Sequence, residues 1–128
     1  MPERLIYIVE GDDSVRQGLA RLVDAACLES RPCASVEAFL SEAPASRAAC
    51  AVLDISGMRG SPAGVWSRLR TVAATLPVIA LSTGDDPATR RMARDLGARA
   101  LFRKPVDAGA LLDSIDWVSH TDGTPARG

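Results

Sequence analysis

The sequence predicts an α/β domain built on one doubly wound sheet of five parallel strands, each followed by a helix. Three observations carry this. Cys50-Ala51-Val52-Leu53-Asp54 and Val78-Ile79-Ala80-Leu81-Ser82 are apolar at every position until their tips, as strands covered on both faces are. Between such runs lie stretches whose apolar residues recur at helical spacing, so strand and helix alternate along the chain. The strand-like runs end in polar or charged residues, and in open α/β sheets ligands and chemistry gather outside the carboxyl ends of the strands.

Arg4 to Val9 reads as the first strand and runs into Glu10-Gly11-Asp12-Asp13, so its tip is acidic. Asp13 is placed to cap the first helix, in which Val15, Leu19, Leu22, Val23 and Ala26 form an apolar stripe. Ser30 to Ala34 is a weak, edge-like second strand, and Ser35 opens a short helix through Ala38, Phe39 and Leu40 that ends before Pro44. The third strand, Cys50 to Asp54, is central and carries Asp54 at its tip. After a loop at Gly57 to Gly60, Ser61 with Pro62 reads as an N-cap followed by proline at the first helical position. Val65, Leu69, Val72, Ala73 and Leu76 then face inward until Pro77. The fourth strand, Val78 to Ser82, leads to a helix started by Asp86-Pro87, lined by Met92, Ala93 and Leu96, and stopped by Gly97. Ala100 to Phe102 is the fifth strand, Lys104-Pro105 follows it directly, and Asp107 caps a last helix with Leu111, Leu112, Ile115 and Val118 inward. His120 onward is polar and Gly-rich; the expected organisation is one domain over residues 1–120 with a tail or linker start over 121–128.

At 128 residues and 47% hydrophobic, the chain holds one domain with a real core and no second folded unit. A formal net charge of -1 argues against a body that binds nucleic acid or an anionic membrane by long-range attraction. No apolar run reaches the length of a membrane span, and Met1-Pro2-Glu3-Arg4 carries no signal-peptide pattern, so the expected compartment is the cytoplasm. Cys27, Cys33 and Cys50 lack metal-ligand spacing and lie in or beside apolar segments, which predicts buried reduced thiols. With right-handed crossovers the common strand order is 2-1-3-4-5, which sets the acidic tips of strands one and three together and brings Ser82 and Lys104 beside them.

Ile8-Val9-Glu10 with Val15-Arg16 behind it, Val52-Leu53-Asp54, Pro77 to Ser82, Asp95-Leu96-Gly97-Ala98 and Lys104-Pro105 together resemble the receiver domain of bacterial two-component response regulators, a CheY-like module. Each motif is weak alone; in this order, each at its strand tip and over about residues 4–118, they are specific. Ser35-Val36-Glu37-Ala38-Phe39-Leu40 further resembles receivers that precede LuxR-type DNA-binding domains. The resemblance implies a flavodoxin-like (βα)5 fold and a signalling switch that is not a dedicated enzyme. It makes Asp54 the acceptor of a phosphoryl group from a sensor histidine kinase or phosphotransfer protein, with Lys104 and Ser82 assisting and a cis bond before Pro105. The chemistry agrees, because phosphoryl transfer spreads charge over equatorial oxygens that a fixed cation, a hydroxyl and backbone N–H groups can stabilise.

The resemblance also implies Mg²⁺, held by Asp54, the backbone carbonyl of Ser56 and a pair of acids after strand one, of which Glu10 is the first. Ungapped alignment puts Gly11 at the second, direct ligand, with Asp12 one residue on as a candidate replacement; weak Mg²⁺ binding is therefore expected. The loop Ser56 to Val65 lacks the usual Met-Pro pair and is about two residues longer than common, and Leu101 stands where the family's switch aromatic does. These departures keep a second reading open, a pseudo-receiver that acts as an interaction module with little or no phosphorylation. A flavin-binding or phosphatase-like enzyme on the same fold is poorly supported, since the loop after strand one lacks a phosphate-cradling pattern and Asp54-Ile55-Ser56 lacks a second acid. Arg90, Arg91 and Arg94, with Arg103, form either a solvated face or a partner surface. Asp113 and Asp116 could pair with it across a two-fold axis, as in family dimers through helix four, strand five and helix five.

Overall fold

A computed structural model describes residues 4–42, 45 and 47–121. Strands β1 (Leu5–Val9), β2 (Glu29–Cys33), β3 (Ala48–Asp54), β4 (Val78–Ser82) and β5 (Ala100–Arg103) form one parallel sheet in the order β2-β1-β3-β4-β5. Helices α1 (Asp13–Ala25), α2 (Val36–Glu42), α3 (Ala63–Ala73), α4 (Pro87–Leu96) and α5 (Ala108–Thr121) alternate with them. This is the fold class and strand order that the sequence predicts.

Alternate strand residues feed two core layers. Tyr7, Val9, Ala51, Leu53, Val78 and Ala80 pack with Phe39, Leu69, Ala73, Ala93 and Leu96 of α2, α3 and α4. Ile6, Ile8, Cys50, Val52, Ile79 and Leu81 pack with Leu19, Val23, Leu111, Ile115 and Val118 of α1 and α5. Burial on both faces is why these strands read as unbroken apolar runs. Tyr7 meets Phe39 edge to face with ring centroids 5.1 Å apart, and its hydroxyl accepts from the Ala45 N–H at 3.2 Å. β2 tolerates Pro32 because it is an edge strand with one partner.

The register levels the carboxyl ends of the strands. Val9 stands opposite Leu53, so Glu10 emerges level with Asp54. Asp54 stands opposite Leu81 and Ser82 opposite Arg103, so Ser82 and Lys104 emerge just beyond it on the next two strands.

Several local expectations are corrected. Asp12, not Asp13, caps α1: its backbone is extended and its Oδ1 accepts from the Val15 N–H at 3.0 Å, because the chain turns as soon as Glu10 and Gly11 have left β1. Asp13 is the first helical residue and pairs with Arg16 at 2.5 Å. Ser61 does not cap α3; Pro62 holds the N-cap position without a side-chain bond, since the Ser61 N–H is drawn back to the Met58 carbonyl at 3.0 Å. Asp86 and Asp107 do cap α4 and α5, accepting from Thr89 N–H at 3.3 Å and Ala110 N–H at 2.8 Å. Gly97, in the left-handed region at φ 95°, ends α4. α5 runs on through His120 to Thr121, and both 122–128 and Pro44 lie outside the described residues. Cys33 and Cys50 are buried, and loss of water pushes their thiols up to about 11 and about 12. Cys27 is exposed, in the turn after α1 at φ 65°, where the expectation was burial.

The cap assignment is testable by urea denaturation. Asp12→Ala is expected to cost about 1 kcal/mol, the usual worth of an N-cap, whereas Asp13→Ala, which removes an exposed ion pair, is expected to cost about half of that or less. The reverse ranking would return the cap to Asp13.

Candidate functional site

Three of the residues singled out in the sequence meet above the carboxyl edge of the sheet. Glu10 leaves β1 buried, at 3% exposure, Asp54 ends β3, and Lys104 follows β5. The Lys104 ammonium donates to Glu10 Oε1 at 2.9 Å and lies 3.4 Å from Asp54 Oδ2. The second oxygen of each acid goes to backbone: Glu10 Oε2 accepts from the Asp12 N–H at 3.0 Å, and Asp54 Oδ1 accepts from the Ser56 N–H at 3.0 Å. Each carboxylate thus gives one oxygen to the lysine and one to the main chain. Two anions and one cation leave the pocket with a formal charge of -1.

The lysine is aimed by its own backbone. Its N–H donates to the Ser82 carbonyl at 2.8 Å, which prolongs the β4–β5 ladder past the strand end, and the Lys104–Pro105 peptide is cis. Burial alone would lower its affinity for a proton. The hydrogen bond to Glu10 and the charges of Asp54 and Glu10 outweigh that, so its pKa is raised above the ordinary lysine value.

Ser82 is also buried at the tip of β4, with its hydroxyl oxygen accepting from the Gly84 N–H at 3.2 Å; among the described residues it makes no hydrogen bond to Asp54. The Ser56 hydroxyl accepts from the Thr83 N–H at 3.0 Å. Asp12 is committed to capping α1 through its Oδ1. At Gly11 no special backbone conformation is present, and an added Cβ would meet only the Ala34 carbonyl at 3.8 Å, an ordinary contact. Nothing steric therefore demands glycine there.

A cleft of about 260 Å³ opens beside the acids, lined by Glu10, Gly11, Ser35, Asp54, Gly57 and Met58. Two side-chain contributions went unread in the sequence, those of Arg16 and of the Ser56 hydroxyl. Arg16 donates to the Glu10 carbonyl at 2.8 Å while holding Asp13, and so ties α1 to the tip of β1. Ser56 acts through its hydroxyl as well as its main chain, for which the only signal was a hydroxyl residue two places after Asp54. Leu101 is half-buried and lines a second cleft between α4 and β5 together with Arg90, Ala93, Arg94, Ala98 and Arg103.

A doubly wound sheet with two acids and a lysine gathered at its switch point is the layout of a signalling receiver. The chain matches the response regulator receiver domain family over residues 6–116 and belongs to that family. It is 30% identical over 113 residues to the response regulator protein TmoT of Ectopseudomonas mendocina, covering 88% of this chain and 51% of that protein. It is 28% identical over 116 residues to the transcriptional regulatory protein FixJ of Azorhizobium caulinodans, covering 90% and 55%. The chain therefore spans about half the length of the curated relatives it matches. The crystal structure of a response regulator receiver protein from Burkholderia phymatum superposes with a TM-score of 0.74 at 28% identity, covering 92% of this chain and 96% of that one. The chain is thus a receiver domain of the two-component type, a signalling module. Among the described residues no helix is long and apolar enough to cross a membrane.

Receiver domains generally bind Mg²⁺ at the acidic pocket. The donor set here falls short of a full site. Among the described residues no three His, Cys, Asp or Glu side chains cluster as metal ligands, and Glu10 and Asp54 are each tied to Lys104. Mg²⁺ demands near-octahedral oxygen coordination, which two shared carboxylates do not supply by themselves.

Proposed function

We propose that this receiver accepts a phosphoryl group on Asp54 from a sensor histidine kinase or a phosphotransfer protein and relays the change to a partner surface. The observation that supports the reading is the Lys104 ammonium 3.4 Å from Asp54 Oδ2 at the sheet's switch point. In the step, an Asp54 oxygen forms a bond to phosphorus as the bond from phosphorus to the donor's imidazole nitrogen breaks, and the imidazole keeps the electron pair. The negative charge on the transferring oxygens then draws Lys104, whose cation is already in place. The Ser82 hydroxyl and the backbone N–H groups after Asp54 are the remaining donors.

A second reading, the pseudo-receiver, is favoured by one contact: Lys104 lies closer to Glu10, at 2.9 Å, than to Asp54, at 3.4 Å. In that case the lysine is a structural counter-ion and the fold serves as an interaction module. On either reading Mg²⁺ binds weakly, because Gly11 contributes no carboxylate and Asp12 caps a helix. The partner surface we assign is the face of α4, β5 and α5, where Arg90, Arg91, Arg94 and Arg103 are exposed and Asp113 and Asp116 lie on the neighbouring helix. A two-fold pairing of that face would make a homodimer, with rim charges that steer more than they bind. The described core forms the working unit, the residues after α5, 122–128, would serve as a tail or linker, and the cytoplasm is the fitting compartment for a kinase-fed module.

Two measurements test these points. Intact-mass analysis after incubation with acetyl phosphate and Mg²⁺ is expected to show one added phosphoryl group on wild type and none on Asp54→Asn; an unmodified wild type would leave the pseudo-receiver standing.

Gly11→Asp is expected to raise Mg²⁺ affinity by about 10–100-fold or more, the scale of losing or gaining supporting ligands. Without Mg²⁺ the same change should lower the melting temperature, since two carboxylates about 4 Å apart repel by about 4 kcal/mol at an effective dielectric near 20. Calorimetric titration in which wild type binds as tightly as the variant would refute the missing-ligand account.

A further inference from the structure

The cleft between α4 and β5 has a volume of about 500 Å³ and shares no lining residue with the acidic cleft beside Asp54. Its floor is apolar, formed by Ala93 and Ala98 at the end of α4 and by Leu101 on β5. Three exposed arginines stand round that floor. Arg90 and Arg94 lie one turn apart on α4 and so share a face of the helix. Arg103 lies two residues after Leu101, and side chains alternate along a strand, so it rises from the sheet face that Leu101 turns towards α4.

The two walls are held in place by the turn between them. Gly97 ends α4 in the left-handed region, Ala98 N–H donates to the Ala93 carbonyl at 3.0 Å, and Arg99 N–H donates to the Val78 carbonyl at 2.7 Å. Helix and sheet are thus both tied to the turn, and the cleft is already formed. Asp85 is the one carboxylate among its described lining residues, so the cleft carries a formal charge of +2 in a chain whose net charge is -1. The Arg90 guanidinium donates to the main-chain carbonyl of Asp85. Among the described residues neither Arg94 nor Arg103 has an ion-pair partner. Like charges gathered round an apolar floor repel one another, and an anion seated among them removes that repulsion.

We propose that this cleft is a binding site for a small organic phosphate with a flat apolar body. The body lies on Ala93, Ala98 and Leu101, and the phosphate is held by Arg94 and Arg103, with Arg90 at the rim. A phosphate monoester carries a charge of about -1.5 to -2, which matches the excess of the lining. Guanidinium groups fork phosphate oxygens and also stack on flat rings, so the same three side chains serve both halves of such a ligand. The volume falls within the range of about 300–1,000 Å³ that small-molecule sites occupy. This site goes beyond the acceptor reading and does not depend on it: it gives the α4–β5 face a second input, a soluble ligand whose seat overlaps the assigned partner surface.

The test titrates the full chain with 1-naphthyl phosphate, inorganic phosphate, 1-naphthol and hexaglutamate, by calorimetry and by amide NMR shifts. 1-Naphthyl phosphate should bind and shift the amides of Ala93, Arg94, Ala98, Leu101 and Arg103, with an affinity that falls as salt rises. Inorganic phosphate, which lacks the apolar body, and 1-naphthol, which lacks the charge, should each bind about tenfold more weakly or worse. Arg94→Gln and Arg103→Gln should each weaken binding of 1-naphthyl phosphate by about tenfold. Arg70→Gln, which removes an exposed arginine on α3 outside the cleft, should leave it unchanged. An Arg70→Gln loss equal to the others, or shifts spread evenly over the arginine-bearing surface, would mean general charge attraction and overturn the site. Inorganic phosphate binding as tightly as the naphthyl ester would overturn the role of the apolar floor. Hexaglutamate binding more tightly than the ester would make the face a surface for an acidic protein segment, and overturn the small-molecule assignment.

Discussion

A single ammonium group, that of Lys104, compensates two carboxylates that the strand order forces together. The order β2-β1-β3-β4-β5 makes β1 and β3 neighbours, and their register sets Glu10 level with Asp54. Two anions this close, one of them buried at 3% exposure, would destabilise the sheet's edge if left alone. Lys104 at 2.9 Å and 3.4 Å turns that repulsion into a three-charge cluster, and backbone N–H groups satisfy the remaining oxygens. The sheet, the β5 exit and the turn after β1 must all be right for this to hold. The same arrangement aims a cation at whatever charge develops on Asp54.

The absence of a third carboxylate changes what the pocket asks of that lysine. With an acid at position 11 the cluster would carry a formal charge of -2, not -1, and a divalent ion would be the natural complement. With glycine there, the lysine alone goes far towards neutrality. Asp12, one residue on, is engaged by the helix: an N-cap points an oxygen at the helix's free N–H groups, and Asp12 does so at Val15 with its Oδ1.

Much of this was legible in the sequence because it rests on periodicity and order. Cys50 to Asp54 and Val78 to Ser82 announce two-sided burial, and the alternation with helices fixes a parallel sheet; strand tips follow, and with them Glu10, Asp54, Ser82 and Lys104. What was not legible depends on single hydrogen bonds. Whether Asp12 or Asp13 caps α1 turns on one residue of exit geometry, and Ser61-Pro62 has the look of a cap but its N–H is taken by the Met58 carbonyl. Met58 itself, an apolar residue in a polar loop, was the signal that this loop is pinned to the core. The Ser56 link to Thr83 joins residues far apart in sequence on two neighbouring strands' exits, which no local pattern encodes.

The most direct measurement of the central claim is an NMR titration of the Lys104 side-chain ammonium. Its proton affinity is raised by the bond to Glu10 and the charges of Asp54 and Glu10, against the effect of burial, so its midpoint should lie above the ordinary value of 10.5. For a raised lysine, the stabilisation is complete below the ordinary value and is lost as pH climbs through the folded one, so stability should fall on the alkaline side alone for this group. Glu10→Gln should bring the midpoint down. A midpoint at or below 10.5 in wild type, unmoved by Glu10→Gln, would mean that burial dominates and that the three-charge cluster does not hold the site together.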